Sequence, residues 1–172
     1  MKTHLKSVGQ TDTWITPKYI TDALGKFDLD PCAHTDMPWQ HADRCYTIHD
    51  DGLSQKWDGR VWLNPPYNQY RINHWLQKMS VHKNGIMLIN AACETKRFYK
   101  YVYPEATGIL MMNHRPFFCT PDGKRGPYGS GQSICLVSYD EQNLQSLLQS
   151  KLGVVLKPIG NFQIEEDALK LF

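Results

Sequence analysis

The sequence predicts a compact single α/β domain: a mostly parallel sheet flanked by helices. Three observations carry this. Short apolar runs alternate with amphipathic stretches through the middle of the chain, the pattern of successive strand-helix-strand units. Runs such as Gly85-Ile86-Met87-Leu88-Ile89-Asn90 are apolar at successive positions, as strands covered on both faces must be. The 172 residues are 41% hydrophobic and 12% aromatic, enough for one core, and no repeat, low-complexity tract or long charge block divides them. Residues 1–12 read as a loose polar arm and 13–172 as the domain.

In chain order, Thr16 is placed to cap a helix that starts at Pro17, carries Ile20 and Leu24 on one face and stops at Gly25. A strand follows over 27–30. Residues 44–48 and 60–63 read as short strands, 70–80 as an amphipathic helix, 85–90 as a buried strand and 94–102 as another helix. Runs at 107–113, 115–119 and 133–139 add strands, some of them antiparallel, before a helix over 141–149 and an edge strand over 153–159. The span 119–133 is a Gly/Pro-rich loop holding the adjacent cations Lys124 and Arg125. Loops of that length are commonly functional.

Bulk properties narrow the class. A net charge of +2 with a pI near 8.2 neither requires nor opposes a nucleic-acid partner. No stretch has the apolar length of a membrane helix and the start lacks the features of a secretory signal, so a soluble cytoplasmic protein is expected. The cysteines, at 32, 45, 93, 119 and 135, are odd in number and scattered, which reads as reduced thiols. Cys32, His34, His41 and Cys45 are zinc-ligand types, but their spacings match no common zinc motif, and no metal is expected.

The chemistry concentrates where the apolar run Val61-Trp62-Leu63 stops at Asn64-Pro65-Pro66-Tyr67. Two prolines lack backbone donors, fix φ and hold the preceding residue extended, so the chain leaves the strand in a rigid shape. An exocyclic amine is a poor nucleophile because its lone pair is delocalised, and it carries two N–H donors. The Asn64 side-chain oxygen and the Pro65 carbonyl can accept both, drawing the nitrogen toward tetrahedral geometry. Tyr67 offers a flat face for a planar substrate. Because the turn carries Asn rather than Cys, a covalent route through a cysteine nucleophile is disfavoured.

Read together, Trp14-x-Thr16-Pro17, Phe27-Asp28-Leu29-Asp30-Pro31-Cys32-Ala33, Cys45-Tyr46-Thr47, Asp51-Gly52-Leu53, Trp57 and Trp62-Leu63-Asn64-Pro65-Pro66-Tyr67 share the order and spacing of a known family. Over roughly residues 13–140 the chain resembles the phage-type DNA N6-adenine methyltransferases, the Dam-like family of phages and prophages. The resemblance implies a Rossmann-like fold that uses S-adenosylmethionine and methylates adenine N6 in double-stranded DNA, by direct in-line attack of a flipped base. It assigns the target amine to Asn64 and Pro65, with Pro66 stiffening the turn and Tyr67 stacking the base. It assigns the cofactor to Trp14, Thr16 and Pro17, to the loop of Asp30, Pro31, Cys32 and Ala33, and to Asp51. It also implies a phage or prophage modification enzyme, whose role would be protection of DNA from restriction or, equally well, regulation of replication or packaging. The loop after Asp30 departs from the wider methyltransferase pattern, since Asp-Pro-Cys-Ala-His-Thr-Asp-Met-Pro has no glycine.

Single positions also have plain structural uses: Asp30-Pro31 as the start of a turn, Trp14 as an apolar plug, Asp51-Gly52 as a turn. Their shared order favours the resemblance. Candidate DNA contacts are Arg71, Arg115, Lys124 and Arg125, and with no separate recognition domain visible the protein is expected as a monomer or homodimer. The alternatives are an amine methyltransferase for RNA or protein glutamine, and a non-catalytic DNA-binding relic of the fold. A nuclease is disfavoured by the order of Glu94-Thr95-Lys96 and Pro121-Asp122.

Overall fold

Among the described residues, seven short strands form one sheet in the order β2-β1-β3-β4-β6-β5-β7. The computed structural model describes residues 14–68 and 70–160; the expected arm and residues 161–172 of the expected domain lie outside the described residues. In chain order the elements are α1 (Lys18–Leu24), β1 (Phe27–Asp30), β2 (Ala42–Cys45), β3 (Val61–Leu63), α2 (Ile72–His82), β4 (Gly85–Asn90), a π-helical turn (Phe98–Val102), β5 (Gly108–Met112), β6 (Ile134–Tyr139), α3 (Glu141–Gln149) and β7 (Gly153–Leu156). β2, β1, β3 and β4 are mutually parallel. β6 runs antiparallel to both β4 and β5, and β7 antiparallel to β5. The parallel half and the reversed later strands both follow the expectation.

Alternation along the strands explains why the central ones are apolar throughout. Leu29, Val61, Leu63, Met87 and Ile89 face α2 and the π-helical turn, packing with Trp75, Leu76, Met79 and Phe98. Phe27, Trp62, Ile86, Leu88 and Leu136 face the other way, against Ile20 and Leu24 of α1 and Leu147 of α3. Both faces are covered, so the strands have no polar side to show. Below the sheet, the Arg60 guanidinium joins three segments by donating to the Leu24 and Lys26 carbonyls and to Asn143 Oδ1, at 2.9, 2.7 and 2.7 Å.

Four local expectations need correction. Pro17, not Thr16, is the N-cap of α1, and no side chain caps that helix; the Thr16 hydroxyl is engaged elsewhere. The second strand starts at Ala42 because main-chain pairing with Phe27 defines it, whereas its outward residues Asp43, Arg44 and Cys45 are exposed and leave no apolar pattern to read. Residues 115–119 are not a strand: Cys119 alone makes isolated bridges, to Ile15 and to Arg125. The helix expected over 94–102 narrows to the π-helical turn, closed by the Tyr103 N–H on the Phe98 carbonyl at 2.9 Å.

The topology places the site. From β1 the chain crosses to β2 on one side and then to β3 on the other, so a crevice opens beyond the carboxyl ends of β1 and β3. β5 points the same way as β4, and the long connection from β5 to β6 therefore returns over that same end of the sheet.

Candidate active site

A cleft of about 1000 Å3 occupies this crevice. Its floor is made by the strand ends: Asp30 closes β1, Asn64 follows β3 and Asn90 closes β4. Its walls are Trp14, Ile15 and Thr16, the loop of Pro31, Cys32 and Ala33, the segment bearing Thr47, Ile48, Asp51 and Gly52, and Pro127–Gln132 of the long loop.

The loop after β1 is organised by a buried carboxylate. Asp30 Oδ1 accepts the Cys32 N–H at 2.9 Å, and Oδ2 lies 2.7 Å from His41 Nε2, with the His41 and Asp30 side chains 5% and 6% exposed. Burying a carboxylate is costly unless such partners are supplied. Asp30 thus lines the cleft with both oxygens engaged by the fold. Ala33 donates its N–H to the Tyr46 carbonyl at 2.9 Å, tying the loop to the segment after β2. Cys32 donates its thiol proton to the Asn64 carbonyl at 3.1 Å. Burial first, and the Asp30 charge second, push this thiol well above its ordinary range, so it stays protonated as a donor must.

The absence of glycine from this loop is met by glycine elsewhere. Gly52 packs so closely that a Cβ there would sit 1.8 Å from the Pro31 carbonyl oxygen. The turn around Gly52 is held by the Trp57 indole N–H on the Gly52 carbonyl at 2.8 Å and by Lys78 Nζ on the Leu53 carbonyl at 2.6 Å. On its rim Asp51, at φ +47°, accepts from Arg71 at 2.9 Å, with both side chains more than half exposed.

Asn64 is held at two points. Besides the thiol on its main-chain carbonyl, its Nδ2 donates to the Thr16 hydroxyl at 3.2 Å. Among the described residues no donor engages Asn64 Oδ1 or the Pro65 carbonyl, and Asn64 opens on the cleft. Tyr67 is 46% exposed as a residue, while its hydroxyl donates to the Leu88 carbonyl of β4 at 3.4 Å, in surroundings that push the phenol upward by desolvation. The turn therefore presents two free acceptors beside an anchored aromatic face.

Of the residues singled out in the sequence, Trp14, Thr16, Asp30, Pro31, Cys32, Ala33, Asp51, Asn64, Pro65, Pro66, Tyr67 and Arg71 line the one cleft. Pro17 is buried at the start of α1, outside the lining. Arg115, Lys124 and Arg125 are exposed and also outside it; Lys124 pairs with Asp122 at 2.7 Å and Arg125 lies 3.6 Å over the Phe117 ring. Two lining residues have other standing: Asn90 goes unremarked in the sequence, and His41 enters there only as a zinc-ligand type. Asn90 had a signal, since it ends an apolar run as Asn64 does. His41 lies 11 residues from Asp30 across an irregular loop, and its pairing has no pattern in the chain. Among the described residues no group of three or more His, Cys, Asp or Glu could hold a metal ion. No helix among them is long and apolar enough to cross a membrane.

A sheet with its ligand cleft at the switch point and an amide-Pro-Pro-aromatic turn on that cleft is consistent with a Rossmann-like methyltransferase. Residues 2–147 match the family model described as DNA N-6-adenine-methyltransferase (Dam), and the chain belongs to that family. No curated protein and no solved structure matched. Membership supports methylation of adenine N6 in DNA as the general activity and implies S-adenosylmethionine as methyl donor.

Proposed function

We propose that the protein methylates adenine N6 in double-stranded DNA by direct, in-line transfer to a base extruded into the cleft. The observation that carries this is the Asn64-Pro65-Pro66-Tyr67 turn, which sets two unpaired acceptors beside the half-exposed Tyr67 at the end of β3. Asn64 Oδ1 and the Pro65 carbonyl accept the two N–H groups of the amine and turn its lone pair out of the ring plane. Tyr67 stacks the base, and Pro66 keeps the turn from relaxing.

The remaining cleft suits the nucleoside cofactor. At about 1000 Å3 it has the upper volume of ligand sites, room for a nucleoside beside a base. Its apolar wall of Ile15, Ala33, Ile48 and Trp75 fits an adenosyl group, with the Asp51 carboxylate on the rim as a hydrogen-bond acceptor. When bound, S-adenosylmethionine supplies an electrophilic methyl group. Trp14, Thr16, the loop 30–33 and Asp51 would hold it, and Arg71 orients Asp51 by their ion pair. Extrusion of the base costs a few kcal/mol, offset by stacking and by phosphate contacts for which Arg71, Arg115, Lys124 and Arg125 are the candidates. A phage or prophage modification role accords with this reading.

The test is label transfer from S-adenosylmethionine to duplex DNA, RNA and protein offered separately, with cofactor binding followed by calorimetry. Incorporation into DNA supports the reading. Incorporation into RNA or protein alone reassigns the substrate, and absence of cofactor binding makes the protein a binding relic.

A further inference from the structure

We infer that Asn90 is a further substrate-contacting residue of the methyl-transfer site, its side-chain amide donating to a ring nitrogen beside the amine of the extruded adenine. This rests on the reading of the Asn64 turn as the cradle of that amine. Once Asn64 Oδ1 and the Pro65 carbonyl take both N–H groups, the ring edge of adenine offers acceptors alone, with N1 and N7 on either side of the amine. Holding the base by its edge therefore takes a donor next to Asn64.

Asn90 closes β4 on the cleft floor, half-buried, and its side-chain amide has no hydrogen-bond partner among the described residues. Its main chain is set by pairing with Ile134 of β6, and its carbonyl accepts the Ala92 N–H at 2.8 Å. An amide partly withdrawn from water and left unpaired by the fold is available to a ligand. Register fixes where that ligand meets it. β3 and β4 are parallel with Leu63 beside Met87, so Asn64 is level with Leu88 and Asn90 lies two residues further along. Alternation sets both asparagines on the side of the sheet that Trp62 and Leu88 share. With neighbouring strands about 4.8 Å apart and a rise of about 3.3 Å per residue, their backbones stand about 8 Å apart. One base edge, with a hydrogen bond of about 2.9 Å at either end, fits between the two amides. The Tyr67 hydroxyl, on the Leu88 carbonyl at 3.4 Å, anchors the stacking ring at the same stretch of β4.

The test uses the full chain and one duplex whose methylated adenine has been mapped, with that adenine replaced in turn by 1-deazaadenine and 7-deazaadenine. Asn90→Leu removes the donor and should lower kcat/KM on adenine about five- to tenfold. On one of the two analogues, the one lacking the nitrogen that Asn90 meets, the same substitution should cost no more than about twofold. Asn90→Asp keeps the shape but puts an acceptor where the donor was, and should be at least as slow as Asn90→Leu on adenine. Calorimetry should find the affinity of both variants for S-adenosylmethionine within about twofold of native. Native rates in either variant, an equal loss on adenine and on both analogues, or a loss confined to cofactor affinity overturns the inference and leaves the reading of Asn64 standing. A native protein that binds S-adenosylmethionine and methylates no adenine in DNA overturns both.

Discussion

The ring and hydroxyl of Tyr67 sit in different surroundings: the ring is open to the cleft, while the hydroxyl is turned down onto the Leu88 carbonyl. The two parts are separable by substitution. Tyr67→Ala removes the stacking face, worth roughly 1–3 kcal/mol per base, and should raise the KM for DNA about five- to 150-fold. Tyr67→Phe keeps the face and loses one long hydrogen bond, so its KM should stay within about threefold of native. A steady-state series on one duplex checks both, and equal KM values for the Ala and Phe variants would remove stacking from the account. Asp30 gives a contrasting case at this scale. Its place beside Pro31 was legible, but its engagement by His41 was not, since a pair across an irregular loop is defined only by tertiary folding.

At the scale of elements, the loops are coupled as tightly as the strands. The turn at Gly52 and the loop at Pro31 touch main chain to main chain, and Gly52→Ala would drive a methyl group into the Pro31 carbonyl. Neither partner yields easily, with Asp30 holding one side and Trp57 the other. The substitution should cost about 1–3 kcal/mol of stability and weaken cofactor binding, measured by urea unfolding and calorimetry. A variant as stable as the native chain would show that the contact is dispensable. Such contacts are invisible in sequence because Asp51-Gly52 looks like any turn. The central strands were readable, as Val61–Leu63 and Gly85–Asn90 are apolar on both faces and stop at polar residues. The edge strand β2 was placed late because exposed Asp43 and Arg44 carry no pattern, and 115–119 seemed a strand from aromatic content that has no ladder to join.

For the whole molecule, the sealed thiols and phenols give stability a one-sided dependence on pH. Burial raises Cys32, Cys135, Tyr67 and Tyr139 above their ordinary values, so all remain protonated in the fold. Below the thiol value of the unfolded chain, about 8.5, both states are protonated and this contribution is fully present. Above it the unfolded chain releases protons that the fold retains, and stability falls as pH rises. The urea midpoint should therefore decline between about pH 8.5 and 10.5, and less steeply in Cys135→Ala. A midpoint that rises over that interval would contradict the assignment of these groups. The same architecture converges on a single turn, and its chemistry is tested most directly by mass spectrometry of unmethylated duplex DNA after incubation with S-adenosylmethionine. Native protein should produce N6-methyladenine, and Asn64→Ala should reduce it about 100-fold or more while still binding cofactor. N6-methyladenine formed equally by both proteins, or by neither while cofactor is bound, would contradict the account.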